Sequence, residues 1–239
     1  MKPIQGFGVS KVVASDNPDF KPGDLVSGIT GWEEYSLIQK PEQLRRVQQD
    51  DIPLSFNLGL LGMPGLTAYA GFYEVAKLDK FSIASASSTI IDYLSITLQM
   101  MVITQFDIYL TINRYFPEGI DIYFDNVGGD MLDAALLNMR ISGRIAVCGM
   151  VSLHSLSDPQ GIRNLFNLLT KRIRMQGFLQ SDYLHLYPKF LEHVINNYRQ
   201  GKLVYIEDMN EGLESAPAAL AGLFSGKNVG KQVIRVAYE

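Results

Sequence analysis

The sequence predicts an α/β protein in which a small β-barrel precedes a doubly wound parallel sheet. Within residues 117–151, two near-continuous apolar runs at 120–124 and 144–148 flank a short amphipathic helical stretch. Such runs are typical of parallel strands that are buried on both faces. Strand and helix patterns continue to alternate further on. Residues 1–40 instead carry short, glycine-punctuated strand patterns at a spacing typical of a small barrel.

The composition excludes several classes of function. The chain has 239 residues, of which 47% are hydrophobic and 19% charged, so it can bury a substantial core. A net charge of -4 without a basic stripe argues against nucleic-acid binding. The single cysteine, Cys148, excludes an intramolecular disulfide. His154, His185 and His193 lack metal-ligand spacing, so we expect no metal site.

Location follows from the same data. No basic-then-apolar secretory signal opens the chain, and no run of residues is apolar enough to resemble a membrane span. We therefore expect a cytoplasmic protein without a membrane partner.

The first part of the chain alternates short strands and turns. A strand is predicted over 6–13, a turn at 19–23, and a second strand from Asp24. Residues 28–31 are predicted to form a turn that leads into an alternating strand pattern at 32–36.

Residues 54–76 predict a helical turn, a Gly-Met-Pro-Gly loop and then a helix that Thr67 can cap. A helix start beside a glycine loop can face an anionic ligand. A hinge helix between two domains explains the same pattern equally well.

Residues 81–113 are unusual because they contain no glycine, lysine or arginine, and Asp92 and Asp107 are their only charges. β-branched residues dominate 90–104, so we expect a strand-prone segment that is an aggregation hazard when exposed. A glycine-rich phosphate-binding turn cannot lie here.

The segment 117–151 reads as strand, turn, helix, turn and strand. Gly128 and Gly129 allow a tight turn with positive φ, and the helix is predicted to end before Gly143. Ligands bind at the carboxyl ends of parallel strands, which here are residues 125–129 and 148–151. A packing unit with glycine turns and no ligand accounts for the pattern equally well.

The remaining elements continue the alternation. We predict helices at 158–171, 187–200 and 213–224, and strands at 172–179, 203–206 and 231–237. Asp158 and Pro159 provide a helix start, and Gly201 and Gly226 provide helix ends.

Several motifs resemble one family closely. They are MPGLTAYAGFYEV, FPEGIDIYFDNVGGDMLDAALLNM, GRIAVCGM, KRIRMQGF and GKNVGKQV. These blocks resemble the plant NADPH-dependent alkenal double bond reductases of the zinc-independent medium-chain dehydrogenase/reductase superfamily. PIQGFGVSKV and GDLVSGITGWEEYSLI are similar to the GroES-like domain of that superfamily.

The resemblance implies a partial GroES-like β-barrel at 1–76 and an incomplete Rossmann-type sheet at 77–205. It also implies a C-terminal helix and strand at 206–239 that return to the first domain. It further implies a homodimer, which is the usual assembly of the family's members. The implied activity is NADPH-dependent reduction of the carbon–carbon double bond of a 2-alkenal or enone. Hydride goes to the β-carbon and a proton to the α-carbon.

Site residues follow from the matching motifs. Those implied to contact the cofactor or flank its nicotinamide are Asn126, Cys148, Gly149, Phe178, Leu179, Asn228, Met63 and Thr67. His154 stands where the family has a tyrosine near the substrate, so it is the candidate to donate a proton or hydrogen bond to the substrate oxygen. The alternative for His154 is an exposed loop histidine, and for Asn126 and Asn228 it is a turn asparagine.

The chain also departs from the family in a feature that matters for cofactor binding. Residues 77–115 are too few for the family's first βαβ unit, and no glycine-rich phosphate loop can be read there. Three interpretations follow: an active but shortened alkenal reductase, a non-catalytic relative that keeps a folding or dimerisation module, and a truncated product that does not fold stably.

Overall fold

The computed structural model describes residues 4–48, 51–77, 83–85, 108–153, 156–159 and 161–237. The chain divides into two compact units. One comprises Met1–Pro64 with Tyr205–Glu239, and the other comprises Gly65–Val204. Among the helices that the structure describes, none combines the length and apolar character needed to cross a membrane.

The elements are as follows. The strands are β1 (Gln5–Lys11), β2 (Leu25–Gly31), β3 (Arg45–Arg46), β4 (Ile83–Ser85), β5 (Ile120–Asp125), β6 (Met139–Val147), β7 (Arg174–Gly177), β8 (Glu207–Glu211) and β9 (Lys231–Arg235). The α-helices are α1 (Met63–Ala70), α2 (Ile108–Tyr115), α3 (Gly129–Asn138), α4 (Asn167–Thr170), α5 (Tyr187–Arg199) and α6 (Ala216–Leu223). A π-helical turn over Gly71–Val75 continues α1.

The first unit contains two small sheets. Strands β1, β2 and β3 form an antiparallel sheet in that order, whereas β8 and β9 pair in parallel. The side chain of Arg45, in β3, donates to Ser27 Oγ at 3.0 Å and to Asn57 Oδ1 at 3.2 Å.

The second unit is built on a parallel sheet with the order β4-β5-β6-β7. β5 pairs with β6 in parallel, so that Ile122 lies opposite Arg144 and Phe124 opposite Ala146. This confirms the predicted pairing of the two apolar runs. Ile122 and Phe124 on one face of β5 and Tyr123 and Asp125 on the other face are all buried, so both faces of the strand are covered.

The helix after β5 is shorter than predicted. It ends at Asn138, whose side-chain amide donates to the Ala134 carbonyl at 2.8 Å. Met139 therefore begins β6 instead of continuing the apolar helix face, and Gly143 lies inside the strand. The apolar spacing alone could not separate the two alternatives, because Met139 is buried in both.

The helix predicted at 158–171 is wrong over most of its length, because only Asn167–Thr170 is α-helical. The Asp133 carboxylate accepts the backbone N–H groups of Arg163 and Asn164 at 2.9 to 3.1 Å. These bonds hold the start of the segment as a loop against α3, in competition with helical hydrogen bonds.

Four further predictions fail locally. Residues 32–36 form no strand, and residues 28–31 belong to β2. The strand expected at 203–206 is displaced to β8, a polar segment that is held by its pairing with β9. α1 begins at Met63, so Thr67 lies inside the helix and is not its cap.

The fourth failure concerns only the end of the strand-prone segment 81–113: Ile83–Ser85 is strand β4 as expected, whereas the last residues belong to α2. Residues 86–107 lie outside the described part of the chain. The strand-prone expectation for 90–104 therefore remains a prediction.

Candidate functional site

The carboxyl ends of β5 and β6 form the candidate site. The turn that follows β5, residues 126–129, packs against the segment that follows β6, residues 148–152. Cys148 N–H donates to the Asp125 carbonyl at 2.8 Å, and the Asn126 carbonyl accepts the N–H of Val151 at 3.0 Å. Ser152 donates both its N–H and its hydroxyl to the Val127 carbonyl, at 3.0 and 2.6 Å.

Asp125 supports this turn from inside the protein. Its side chain is 0% exposed, and Oδ1 accepts the N–H groups of Val127 and Gly128, each at 3.0 Å. The Tyr123 hydroxyl, on the same face of β5, donates to the same oxygen at 3.3 Å. The other oxygen, Oδ2, is buried and has no hydrogen-bond partner among the residues that the structure describes.

Burial dominates the electrostatics of the site. Desolvation raises the pKa of Asp125, and the N–H groups of Gly128 and Val127 oppose that shift. Desolvation, together with the charge of Asp125, raises the pKa of Cys148 to about 12. The thiol therefore stays protonated at neutral pH and is neither a nucleophile nor a metal ligand there.

Asn126 presents its side chain beside the end of β6. Cys148 Sγ donates to Asn126 Oδ1 at 3.7 Å. A Cβ on Gly149 would lie 2.4 Å from the same oxygen, so a larger residue there would have to displace the Asn126 side chain. Asn126, Cys148 and Gly149 are all half-buried, and the structure brings these three predicted site residues together.

The turn leads into the N-terminus of α3, which is a potential anion-binding position. Here Asp125 already accepts two of the N–H groups of the turn, and Asp130 adds a negative charge in the first helical turn. Gly128, the residue before α3, has a φ of +69°, which glycine adopts without strain. This edge therefore suits an uncharged, hydrogen-bonding part of a ligand better than a phosphate.

The other predicted residues of this unit are more dispersed. The Phe178 N–H donates to the Val147 carbonyl at 3.1 Å, which places Phe178 directly after β7 at the same edge. Its ring is buried and lies 6.2 Å from that of Phe124. Leu179 is 66% exposed, and Thr67 is half-buried inside α1.

The remaining predicted residues lie elsewhere. Asn228 belongs to the first unit, where its amide donates to the Gly230 carbonyl at 2.8 Å as a turn asparagine does. Met63 is the exposed first residue of α1. His154 lies outside the described residues.

Sequence reasoning placed Asp125 at the ligand-binding end of the strand but did not predict that it supports the turn, and it did not identify Tyr123 or Ser152 as parts of the site. A partial signal was available, since Tyr123 and Asp125 are two polar side chains on one face of a predicted buried strand. Ser152 carried no recognisable signal.

Two family models match the chain. One is described as the N-terminal domain of oxidoreductase and matches residues 1–47, and the other is described as zinc-binding dehydrogenase and matches residues 97–196. The described residues of the site do not offer ligands for a zinc ion. In the part of the chain that the structure describes, no three His, Cys, Asp or Glu side chains are grouped to hold a metal, and the only thiol is protonated.

Similar proteins are found across nearly the whole chain. The 2-alkenal reductase (NADP(+)-dependent) of Nicotiana tabacum is 48% identical, with 99% of this chain and 78% of the tobacco protein covered. The (+)-pulegone reductase of Mentha piperita is 47% identical with the same coverage. The NADPH-dependent curcumin reductase of Escherichia coli is 34% identical over 97% of this chain and 77% of that protein.

A solved structure confirms the fold. CurA of Vibrio vulnificus in complex with NADPH superposes with a TM-score of 0.83 at 30% identity, covering 98% of this chain and 80% of CurA. These relatives, the parallel sheet and the turn at its carboxyl edge together identify the family of the chain. It belongs to the medium-chain dehydrogenase/reductase superfamily, within the family of NADPH-dependent reductases of alkenal and enone double bonds.

Proposed function

We propose that this chain uses NADPH to reduce the carbon–carbon double bond of a 2-alkenal or enone. The observation that carries the proposal is the 48% identity, over 99% of the chain, with a protein named 2-alkenal reductase (NADP(+)-dependent). The geometry of the carboxyl edge supports it, because ligands of parallel α/β sheets bind there.

The residues of the edge fit the nicotinamide and ribose half of the cofactor. The half-buried amide of Asn126 would bind the ribose region, and the close approach at Gly149 leaves the backbone accessible beside it. Phe178 and Leu179 would flank the nicotinamide. Met63, Thr67 and Asn228 remain contacts proposed from the resemblance alone.

NADPH supplies the hydride that reaches the β-carbon of the substrate. The resulting enolate then takes a proton at its α-carbon, so that one C=C bond becomes one C–C bond and two C–H bonds. We propose His154 as the group that donates a proton or hydrogen bond to the substrate oxygen, because imidazole exchanges protons near neutral pH. No step is assigned to a metal.

The test uses the purified chain with NADPH carrying deuterium at the transferable position. We expect trans-2-hexenal to yield hexanal with the deuterium on the β-carbon, as determined by mass spectrometry and NMR. Hexanal offered as substrate is the matched control and should not consume NADPH. Formation of hexenol would show carbonyl reduction instead and would contradict the proposal.

A second candidate function is a non-catalytic relative. The alignment with the tobacco protein spans 268 positions, whereas this chain has 239 residues, so the relative carries residues that have no counterpart here. Together with the lack of glycine in residues 81–113, this favours reduced phosphate binding. Folded protein that binds no NADPH at millimolar concentration would support this candidate over the reductase.

We also propose that the protein is a cytoplasmic homodimer of plant origin. Among the described strands, β7 is at one end of the sheet and its side chains are mostly exposed, and edge strands present backbone groups that can pair with another chain. A single cysteine suits a reducing compartment. The tobacco and mint relatives support a plant origin. Light scattering of the purified protein, where a monomer mass would contradict the dimer, tests its oligomeric state.

A further inference from the structure

We propose that Asp125 is a positioning residue for NADPH, which holds the turn 126–129 in the shape that presents Asn126 to the cofactor. The inference rests on the proposed function, because it assumes that this turn contacts the cofactor. Asp125 itself is fully buried and does not touch a ligand.

The geometry shows how one carboxyl group controls the turn. Oδ1 of Asp125 binds the N–H groups of Val127 and Gly128, which are the two residues directly after Asn126. The carbonyl of Asp125 accepts the N–H of Cys148 at 2.8 Å. The peptide after Asn126 is therefore tied to the Asp125 side chain, and the peptide before it is tied to Cys148, which limits the directions in which the Asn126 side chain can project.

The contacts on the outer side of the turn bind its carbonyl groups and not its N–H groups. Ser152 binds the Val127 carbonyl, and Val151 binds the Asn126 carbonyl, but neither contacts an N–H group of the turn. Without the Asp125 side chain, two N–H groups lose their acceptor and the turn can relax. A relaxed turn must be reordered when the cofactor binds, and that cost lowers affinity.

The chain offers a matched control in Asp133. It is also a buried carboxylate of the same unit, 2% exposed, and it also accepts two consecutive backbone N–H groups, those of Arg163 and Asn164. It supports a different loop, outside the turn at the carboxyl edge. Asp133→Ala therefore measures the effect of losing a buried carboxylate while the hydrogen bonds of the turn 126–129 are kept.

The experiment compares Asp125→Ala, Asp125→Asn and Asp133→Ala with the unchanged chain. NADPH binding is titrated by fluorescence, and KM values for NADPH and for trans-2-hexenal are measured. For Asp125→Ala we expect the dissociation constant and KM for NADPH to rise about tenfold, since one net hydrogen bond contributes about that much. The KM for hexenal should not change. Asp125→Asn keeps an acceptor oxygen and should change NADPH affinity by about threefold or less.

Asp133→Ala should lower the melting temperature and leave the NADPH dissociation constant unchanged. Equal NADPH affinities for Asp125→Ala and Asp133→Ala would overturn the inference, because Asp125 would then act on stability alone. The absence of NADPH binding to the unchanged chain would overturn it as well. If the unchanged chain binds NADPH but does not reduce hexenal, the proposed function fails, while the binding comparison still decides the role of Asp125. Should Asp125→Ala not fold, Asp125→Ser and Asp133→Ser make the same comparison.

Discussion

Replacement of Asp133 by alanine should destabilise the second unit strongly. The carboxylate is 2% exposed and accepts the N–H of Arg163 at 3.0 and 3.1 Å and the N–H of Asn164 at 2.9 Å. It binds the loop that replaces the predicted helix, 30 residues further along the chain. Alanine removes the acceptor and leaves both N–H groups facing α3.

The magnitude follows from the number of donors. A hydrogen bond to a charged group contributes about 1.5–3 kcal/mol, so removing the acceptor of both N–H groups should cost about 3–6 kcal/mol. That is a large share of the roughly 5–15 kcal/mol that stabilises a typical domain. Asp130, one turn earlier on α3, provides the control. Its ion pair with Arg163, at 3.1 Å, has both side chains mostly exposed, and its loss should cost about 1 kcal/mol or less.

Urea unfolding followed by circular dichroism measures both variants, and hydrogen exchange locates the effect. We expect the amides of residues 163 and 164 to exchange much faster in Asp133→Ala than in Asp130→Ala. If the two variants lose the same stability, or if Asp133→Ala loses less than about 1 kcal/mol, the carboxylate does not hold the loop and the reasoning is refuted.

Three other predictions follow from the chemistry of the site. The chain should bind NADPH more weakly than the tobacco relative by a factor of about 10² to 10⁴, because two lost charge-assisted phosphate contacts remove about that much affinity. Calorimetric titration of both proteins tests this, and a low-micromolar dissociation constant for this chain would contradict it. Because the folded-state pKa of Asp125 is raised, the folded state binds its proton more readily than the unfolded state does. The stability of the unchanged chain relative to Asp125→Asn should therefore increase as pH falls from neutral towards the ordinary carboxyl pKa of about 4, and a flat difference in urea midpoints would refute this. Cys148, whose pKa is about 12, should react with iodoacetamide at pH about 8 roughly three orders of magnitude more slowly than an unperturbed cysteine, and a rate equal to that of free cysteine would show that the thiol is not buried.

Local sequence signals predicted the elements of the sheet well. The apolar runs at 120–124 and 144–148 indicated buried parallel strands, and the structure pairs them in parallel. Gly201 follows α5 with a φ of +66°, as expected of a helix-ending glycine. These predictions succeed because an apolar strand run or a helix-ending glycine is encoded within a few neighbouring residues.

The sequence was less informative where a distant partner decides the conformation. Residues 158–166 carry a helix signal, but the Asp133 carboxylate holds Arg163 and Asn164 in a loop. The polar segment β8 has no strand pattern and is a strand because β9 pairs with it. The local helix or strand propensity contributes less free energy than a buried hydrogen bond to a charged group or the pairing of a strand, so tertiary contacts override it.

The same division applies to the candidate site. By itself, the sequence determined the family, the cofactor class and the position of Asn126, Cys148 and Gly149 at the ends of strands, because motifs and strand ends are encoded by neighbouring residues. Only the tertiary structure showed that Asp125 is fully buried, with one oxygen bound to the turn and the other without a described partner. Burial and hydrogen-bond geometry depend on which distant segments surround a side chain. For this reason the residue that supports the turn emerged only when the chain was folded.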